Sequence, residues 1–394
     1  MRLHRSGDSA PTRTGSTGAR VTALALAMLT ACADDPLAPD PVAPQWRDLG
    51  TLPAAERVHS VAVLGNTVYV GTGNGVVRRT LDGAGAWEPA GLAGLDVQVL
   101  RTWGDPRATL YAAGYPTRPD LRPVYRTTDG GATWTAGGDG LRSRATGDWL
   151  GVADIAIQPG RGINPVPVLY ATASGTNVAR SLDQGATWTF VHGPPEEMAT
   201  YDCLLHVLGD ALYQGCEAPL DIAWVRRYDI AHREQPTIGD GTLVVDDIEN
   251  RRINGFASWP DVPALARTVF VGIEGGLVAI DAPGSWRWVY KVVDGEEAPY
   301  TYVRSIWVDP VNPRHIVFGG GEPEYAFDRS GLRETFDGGK TATIVQGPAG
   351  IDFSKAGVPA AIPLGPDGRD LLMVVDDGRT HRVLVRTRRG TSER

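Results

Sequence analysis

Two octets constrain this chain more than any other feature. Thr127-Thr128-Asp129-Gly130-Gly131-Ala132-Thr133-Trp134 and Ser181-Leu182-Asp183-Gln184-Gly185-Ala186-Thr187-Trp188 share Ser/Thr, Asp, Gly, Thr and Trp at matching places, 54 residues apart. Self-similarity at that period marks a solenoid or a propeller, in which one supersecondary unit is stacked many times. Weaker copies stand in register. Thr80-Leu81-Asp82-Gly83-Ala84-Gly85-Ala86-Trp87 keeps the Thr, Asp and Trp, and Ala279-Ile280-Asp281-Ala282-Pro283-Gly284-Ser285-Trp286 keeps Asp, a hydroxyl and Trp. Thr335-Phe336-Asp337-Gly338-Gly339-Lys340-Thr341 keeps everything except the Trp, which is Ala342. The starts at 80, 127, 181, 279 and 335 leave gaps of 47, 54, 98 and 56, so one copy is hidden in the long gap. Val225-Arg226-Arg227-Tyr228-Asp229 lies where that copy belongs, and one more period reaches Val383-Leu384-Val385-Arg386. The count is seven units.

Each octet reads as a tight turn between two strands. Asp and Ser/Thr side chains hydrogen-bond nearby backbone amides, and Gly takes the positive-φ positions. The Trp then anchors the following strand in the core. Asp82, Asp129, Asp183, Asp281 and Asp337, with Trp134 and Trp188, are therefore read as structural residues and not as catalytic acids. Within a unit, Val61-Ala62-Val63-Leu64, Gly65-Asn66 and Thr67-Val68-Tyr69-Val70 form a hairpin pattern with a two-residue turn, and residues 206–213 repeat it. Helical periodicity is nearly absent beyond the first thirty residues, and 49 Gly with 29 Pro suit a turn-rich all-β chain. The expected fold is a seven-bladed β-propeller of four-stranded blades.

The ends of the chain fit a closed ring. The seventh unit stops shortly after its third strand, while Gln45-Trp46-Arg47-Asp48-Leu49-Gly50 resembles the fourth strands that follow the turns. The N-terminal strand is expected to complete the last blade, which pairs two otherwise open edges.

The octets resemble Asp-box (BNR) repeats of the sialidase-like propellers, a family that includes sialidases, Vps10-type sorting receptors, some glucan hydrolases and photosystem II assembly factors. The resemblance spans residues 45–394. It implies the propeller fold and leaves the activity open, because hydrolases and pure binding scaffolds share it. Sialidases carry an Arg-Ile-Pro segment in an early blade, and none occurs here.

Arg2, Arg5, Arg13 and Arg20 precede the apolar run Val21 to Ala31, a length that suits a signal-peptide core and is too short for a permanent span. The run ends in Leu29-Thr30-Ala31-Cys32, which resembles a bacterial lipoprotein cleavage box. By that resemblance residues 1–31 form the signal peptide, Cys32 is the lipidated first residue, and residues 32–44 form a Pro/Asp-rich tether before the propeller at 45–394. The expected location is the bacterial cell envelope, at the outer membrane. Removal of residues 1–31 takes away four Arg and one Asp, so the net charge of −8 becomes −11. Such a surface does not point to nucleic acid or to anionic lipid.

Cys203 and Cys216 remain as a pair. If Gly209-Asp210 is a hairpin turn, the two face each other on neighbouring strands, and a disulfide is expected in an oxidising compartment. Nothing in the sequence points to a metal or another cofactor. Gly-x-Ser-x-Gly, His-Glu-x-x-His and the phosphate-binding Gly-x-x-x-x-Gly-Lys are all absent. His59, His192, His206, His232, His315 and His381 are scattered over separate blades, and structural or solvated roles are expected of them.

Propeller connectivity places the octet turns and the first-to-second strand turns on one face. The opposite face carries the second-to-third strand loops and the links between blades. Two of those loops are long and mix aromatics with both charges: Tyr115, Arg118, Asp120 and Arg122 in blade 2, and Glu322, Glu324, Tyr325, Asp328 and Arg329 in blade 6. That composition suits polar recognition with stacking, on loops held by a rigid scaffold. Arg57, His59, Trp149, Tyr300, Tyr302 and Arg304 begin strands near the same opening. The leading expectation is a monomeric, non-enzymatic, lipid-anchored propeller that binds a protein or glycan at the envelope, with a role in assembling or stabilising an envelope complex. The rival is a sialidase-like glycoside hydrolase, with Glu322 and Glu324, or Asp328 with Asp120, as acid and base.

Overall fold

The computed structural model describes residues 44–53, 57–83, 85–104, 108–160, 165–173, 175–193, 203–218, 222–249, 252–291, 302–321 and 331–387. The chain divides into two units, Met1–Ala38 and Pro39–Arg394, and every described residue belongs to the second. The expected signal segment and Cys32 thus lie outside the described residues.

Seven four-stranded antiparallel sheets make up the second unit. The first strand, β1 (Gln45–Thr51), belongs to the last blade. Blade 1 holds β2 (Val58–Leu64), β3 (Thr67–Thr72), β4 (Gly75–Thr80) and β5 (Glu88–Pro89). Blade 2 holds β6 (Leu95–Trp103), β7 (Thr109–Pro116), β8 (Val124–Thr127) and β9 (Thr135–Gly137), and blade 3 holds β10 (Val152–Gln158), β11 (Val168–Ala173), β12 (Val178–Ser181) and β13 (Thr189–His192). Blade 4 is β14 (Cys203–Leu208), β15 (Ala211–Ala218), β16 (Ile222–Asp229) and β17 (Thr242–Glu249). Blade 5 is β18 (Ile253–Ser258), β19 (Val269–Ile273), β20 (Gly276–Ala282) and β21 (Ser285–Lys291). Blade 6 is β22 (Val303–Val308), β23 (Ile316–Gly320), β24 (Leu332–Thr335) and β25 (Thr343–Ile344). Blade 7 runs β26 (Gly357–Leu364), β27 (Asp370–Asp376) and β28 (His381–Thr387), and β1 pairs with β28 as its fourth strand. The fold is the all-β, seven-bladed propeller closed by the N-terminal strand.

The core consists of seven seams, one between each pair of neighbouring blades. Val99, Tyr111 and Val124 of blade 2 meet Val152, Ile155 and Leu169 of blade 3, for example, while Leu49 and Val374 of blade 7 meet Val61 and Val68 of blade 1. Because each sheet is covered on both faces, its second strand is buried throughout, as in β11, β19 and β23. Those strands accordingly read as unbroken apolar runs and not as alternating ones. Burial of such surface stabilises by about 25 cal/mol per Å². Close approach between blades also requires a missing side chain: a Cβ on Gly272 would lie 1.9 Å from the Val303 carbonyl oxygen of the next blade.

Three of the octets form one identical hydrogen-bond pattern. In the turn after β8, Thr127 Oγ1 donates to Asp129 Oδ1 at 2.7 Å and accepts from Gly131 N at 2.9 Å. Thr133 donates its backbone N–H to Asp129 Oδ1 at 2.9 Å and its hydroxyl to Oδ2 at 2.5 Å. Ser181, Asp183, Gly185 and Thr187 repeat these bonds, as do Thr335, Asp337, Gly339 and Thr341. Two of the tryptophans lean on the preceding blade, Trp134 Nε1 donating to the Ala90 carbonyl at 2.7 Å and Trp87 Nε1 to that of Leu49 at 3.2 Å, whereas Trp188 Nε1 donates to the Gly185 carbonyl of its own turn at 2.9 Å. Third-strand arginines reach forward to the next turn, Arg78 to the Gly130 carbonyl at 2.6 Å and Arg126 to Gln184 Oε1 at 2.9 Å.

The copy at 279–286 differs. Asp281 lies inside β20, and the connection to β21 is the two-residue turn Pro283-Gly284. Its carboxylate accepts from Thr268 Oγ1 at 2.9 Å and Arg287 Nε at 2.8 Å, which joins neighbouring strands and does not brace a wider turn.

Candidate functional site

The first strand of each blade lines the central opening, and its first residues sit on the face opposite the octet turns. Six of these seven strands break register there. The pairing of β2 with β3 steps from Val58 to Ser60, that of β6 with β7 from Val97 to Val99, and that of β10 with β11 from Val152 to Asp154. The same step occurs at Ile253/Gly255 and Val303/Ser305, and a wider one at Gly357/Ala360. An extra residue in one strand bends it and re-aims the side chain. The residues passed over include His59, Gln98, Asn254 and Arg304, so polar groups are turned out of the ladder at corresponding depths around the opening.

Blade 4 is the exception. β14 pairs with β15 without interruption from Cys203↔Cys216 to Leu208↔Ala211, and Cys203 and Cys216 form a disulfide across a Cα–Cα distance of 4.4 Å. The Gly209-Asp210 turn places the two cysteines opposite each other, and both are fully buried.

On the blade 1 side of the opening, His59 Nε2 lies 3.0 Å from Asp96 Oδ1. His381 Nε2 stands 3.9 Å from Asp376 Oδ2 in blade 7, and burial pushes the His381 imidazole below its ordinary pKa, against the opposing charge of Asp376. Deeper in the opening, Arg101 Nη2 pairs with Asp154 Oδ1 at 2.9 Å, while Leu205 N donates to Asp154 Oδ2 at 3.0 Å. Burial raises the Asp154 carboxyl despite those partners. His206 stacks on Phe256 and shares a 2.7 Å hydrogen bond with Ser258 Oγ; burial, then the Arg101 charge, lowers its pKa to about 4. These groups join first strands to one another and are positioned as structure.

Among the described residues, an elaborate surface lies between blades 2 and 3. The link from β9 to β10 folds back on itself, with Arg142 bridged to Trp149 and Leu150 N bonded to the Leu141 carbonyl. Its tip is fastened by Ser143, whose Oγ accepts from Ala145 N and Thr146 N at 3.1 Å. Apolar contacts of Leu141 and Leu150 root this hairpin in the seam between the two blades. The Arg122 and Arg142 guanidinium carbons lie 4.2 and 3.4 Å from the Trp149 ring centroid. Arg122 is also ion-paired with Asp139. Tyr115 packs against the chain just before β10: a Cβ on Gly151 would stand 1.9 Å from Tyr115 Cδ1.

Of the residues singled out from sequence, Arg122 packs against Trp149 and Tyr115 against Gly151, whereas Arg118 and Asp120 pair with each other, Nε to Oδ1 at 3.5 Å, and remain exposed. Tyr300, Glu322, Glu324, Tyr325, Asp328 and Arg329 lie outside the described residues. The sequence reading missed Asp139 and Arg142. Its available signal was the long segment between Gly137 and Val152, which carries a Trp and two arginines where the link from β5 to β6 has only five residues. No group of three or more His, Cys, Asp or Glu is placed to hold a metal among the described residues. A cleft between β8, β9 and the Gln184 turn has a volume of about 20 Å³, enough for a water molecule and not for a ligand.

No protein-family model matches the chain, and no curated protein matches it. Solved structures do. YCF48 from Cyanidioschyzon merolae is 15% identical over 86% of this chain and 98% of its own, with a TM-score of 0.54. A structure of YCF48 bound to D1 peptide gives 12% identity over 87% and 97%, with a TM-score of 0.53. The GH74 xyloglucanase of Xanthomonas campestris gives 18% identity and a TM-score of 0.56, over 85% of this chain and 52% of the enzyme. At these identities the likeness establishes the β-propeller fold that the chain shares with all three.

Proposed function

We propose that this chain is a non-enzymatic binding scaffold, anchored at the bacterial envelope by a lipid on Cys32, that engages a protein or glycan partner through its loop face at blades 2 and 3. One observation carries the reading: an aromatic and charged cluster, Arg122 and Arg142 against Trp149 with Tyr115 packed on nearby Gly151, rooted in the seam between the two blades. Aromatic and arginine side chains held in place supply contact area at small entropic cost, which is why they dominate binding surfaces. That a propeller of this shape has been seen holding a peptide supports the choice of a protein partner. A role in assembling or stabilising an envelope complex follows from the same reading.

A photo-crosslinking residue at exposed Arg118, in the full chain expressed with its native anchor, tests it. A discrete crosslinked species is expected from position 118 and not from Asp367 near the opposite face. Crosslinking from neither, or from 367 alone, would overturn the assignment of the loop face. Cys32→Ser is expected to move the protein from the membrane fraction to the soluble fraction; retention in the membrane would refute the lipid anchor.

A further inference from the structure

Two guanidinium groups over one indole repel each other, so the Trp149 cluster gains from a neighbouring anion. Arg122 already shows which kind fits, because the Asp139 carboxylate is paired with it. Arg142 is exposed and gives one N–H to the Gly147 carbonyl at 2.5 Å, and no carboxylate is paired with it among the described residues. A guanidinium has five N–H donors in a fixed fork, which leaves Arg142 donors for a ligand. Its plane is set by the Trp149 ring at 3.4 Å and by the hairpin that bridges the two residues. A fork held in this way is preorganised for a planar, bidentate acceptor.

We propose that Arg142 is the docking point for a carboxylate on an acidic segment of a protein partner, with Trp149 as its platform and the Arg122–Asp139 pair helping to hold that platform. This rests on the reading of the blade 2–3 face as the binding surface, and it names the chemistry of the partner. A peptide is favoured over an extended polyanion because the anchored chain, without residues 1–31, carries a net charge of −11, which repels a long anionic polymer while tolerating a few local carboxylates. Tyr115, packed on Gly151 beside the stack, offers an aromatic surface to the peptide flanking that carboxylate.

The test uses the detergent-solubilised full chain and fluorescence anisotropy with a labelled hexapeptide of alternating Asp and Tyr, beside the same peptide with Asn for Asp. The Asp peptide is expected to bind at least tenfold more tightly than the Asn peptide, with affinity falling as salt rises. Arg142→Ala is expected to weaken it about tenfold, equivalent to about 1.4 kcal/mol, without shifting the melting temperature. Arg142→Lys, which keeps the charge and loses the fork, is expected to recover only part of the loss. Equal binding of the two peptides, or full affinity in both Arg142 variants, would overturn the proposal. Arg142-dependent binding of oligogalacturonate with no peptide binding would overturn the peptide assignment in favour of an acidic glycan. Loss of the acidic-peptide signal while position 118 still crosslinks a partner would refute this inference alone; loss of both would remove the underlying reading as well.

Discussion

The aspartates of the octets are held ionised by their own turns. Hydrogen bonds from the side chain and backbone of Thr133 and from Thr127 lower Asp129 to about 2. For Asp337, burial works upward, and bonds from Thr341 and Thr335 outweigh it to give about 2. Because these folded-state values lie below the ordinary 3.9 or so of an aspartate, the stability they supply is complete above about pH 4 and is lost as pH falls toward 2. His206 acts earlier. Its imidazole, at about 4 when folded against an ordinary value near 6.5, favours the folded chain only while neutral. Its contribution is therefore present above pH 6.5 or so and lost as pH falls toward 4. Melting curves across this range are expected to show a decline beginning below pH 6.5, and His206→Gln is expected to flatten that first part. An unchanged profile would sink the assignment to His206. Asp337→Ala should cost about 1–2 kcal/mol in urea unfolding, since Thr335 and Thr341 lose their acceptor. The octets were legible because the bonds that brace each turn are local, joining residues two to four apart. Asp281 is also held by structural partners, but these are Thr268, just before β19, and Arg287 on β21, and the Pro283-Gly284 turn needs no bracing carboxylate.

Strands were legible where apolar runs end in two-residue turns, as at Gly65-Asn66 and Gly209-Asp210, because the turn fixes the register. That register set Cys203 opposite Cys216. Replacing both with Ser should lower stability by about 2–4 kcal/mol, measured as a fall in the denaturation midpoint that reductant reproduces in the native chain. A midpoint insensitive to both would show that the disulfide adds nothing. Bulges were not legible, since one extra residue leaves a fully buried strand with the same apolar composition. Only the ladder shows that His59, Gln98, Asn254 and Arg304 are turned out of it. Gly272→Ala tests the closeness of neighbouring blades. Its Cβ would meet the backbone of Val303, so a loss of about 1–3 kcal/mol or more is expected. Wild-type stability in that variant would mean that the blades part easily.

At the scale of the whole molecule, stability is spread over seven seams in place of one central core. The seam between blades 7 and 1 depends on β1, where Leu49 is fully buried and its carbonyl accepts from Trp87. Leu49→Ala is expected to cost about 2–5 kcal/mol, and deletion of residues 45–51 to abolish cooperative unfolding by exposing the edge of β28. A deletion variant that still melts in one sharp transition would refute the closure role. The hydrolase alternative is decided by activity: a panel of chromogenic glycosides should show no turnover, and turnover abolished by Glu322→Gln or Glu324→Gln would replace the scaffold reading.

By itself the sequence determined the blade count, the closing strand and the structural duty of Asp129, Asp183 and Asp337, because repeats and turns are local and recur at a fixed spacing. It also pointed to Tyr115, Arg122 and Trp149 as residues of the loop face. Only the tertiary structure decided that Arg142 and Asp139 join them, and that Arg118 and Asp120 stand apart. Those contacts join a loop of one blade to the link that leads into the next, and their geometry depends on how two sheets twist past each other. No spacing along the chain encodes that angle; packing across the seam sets it.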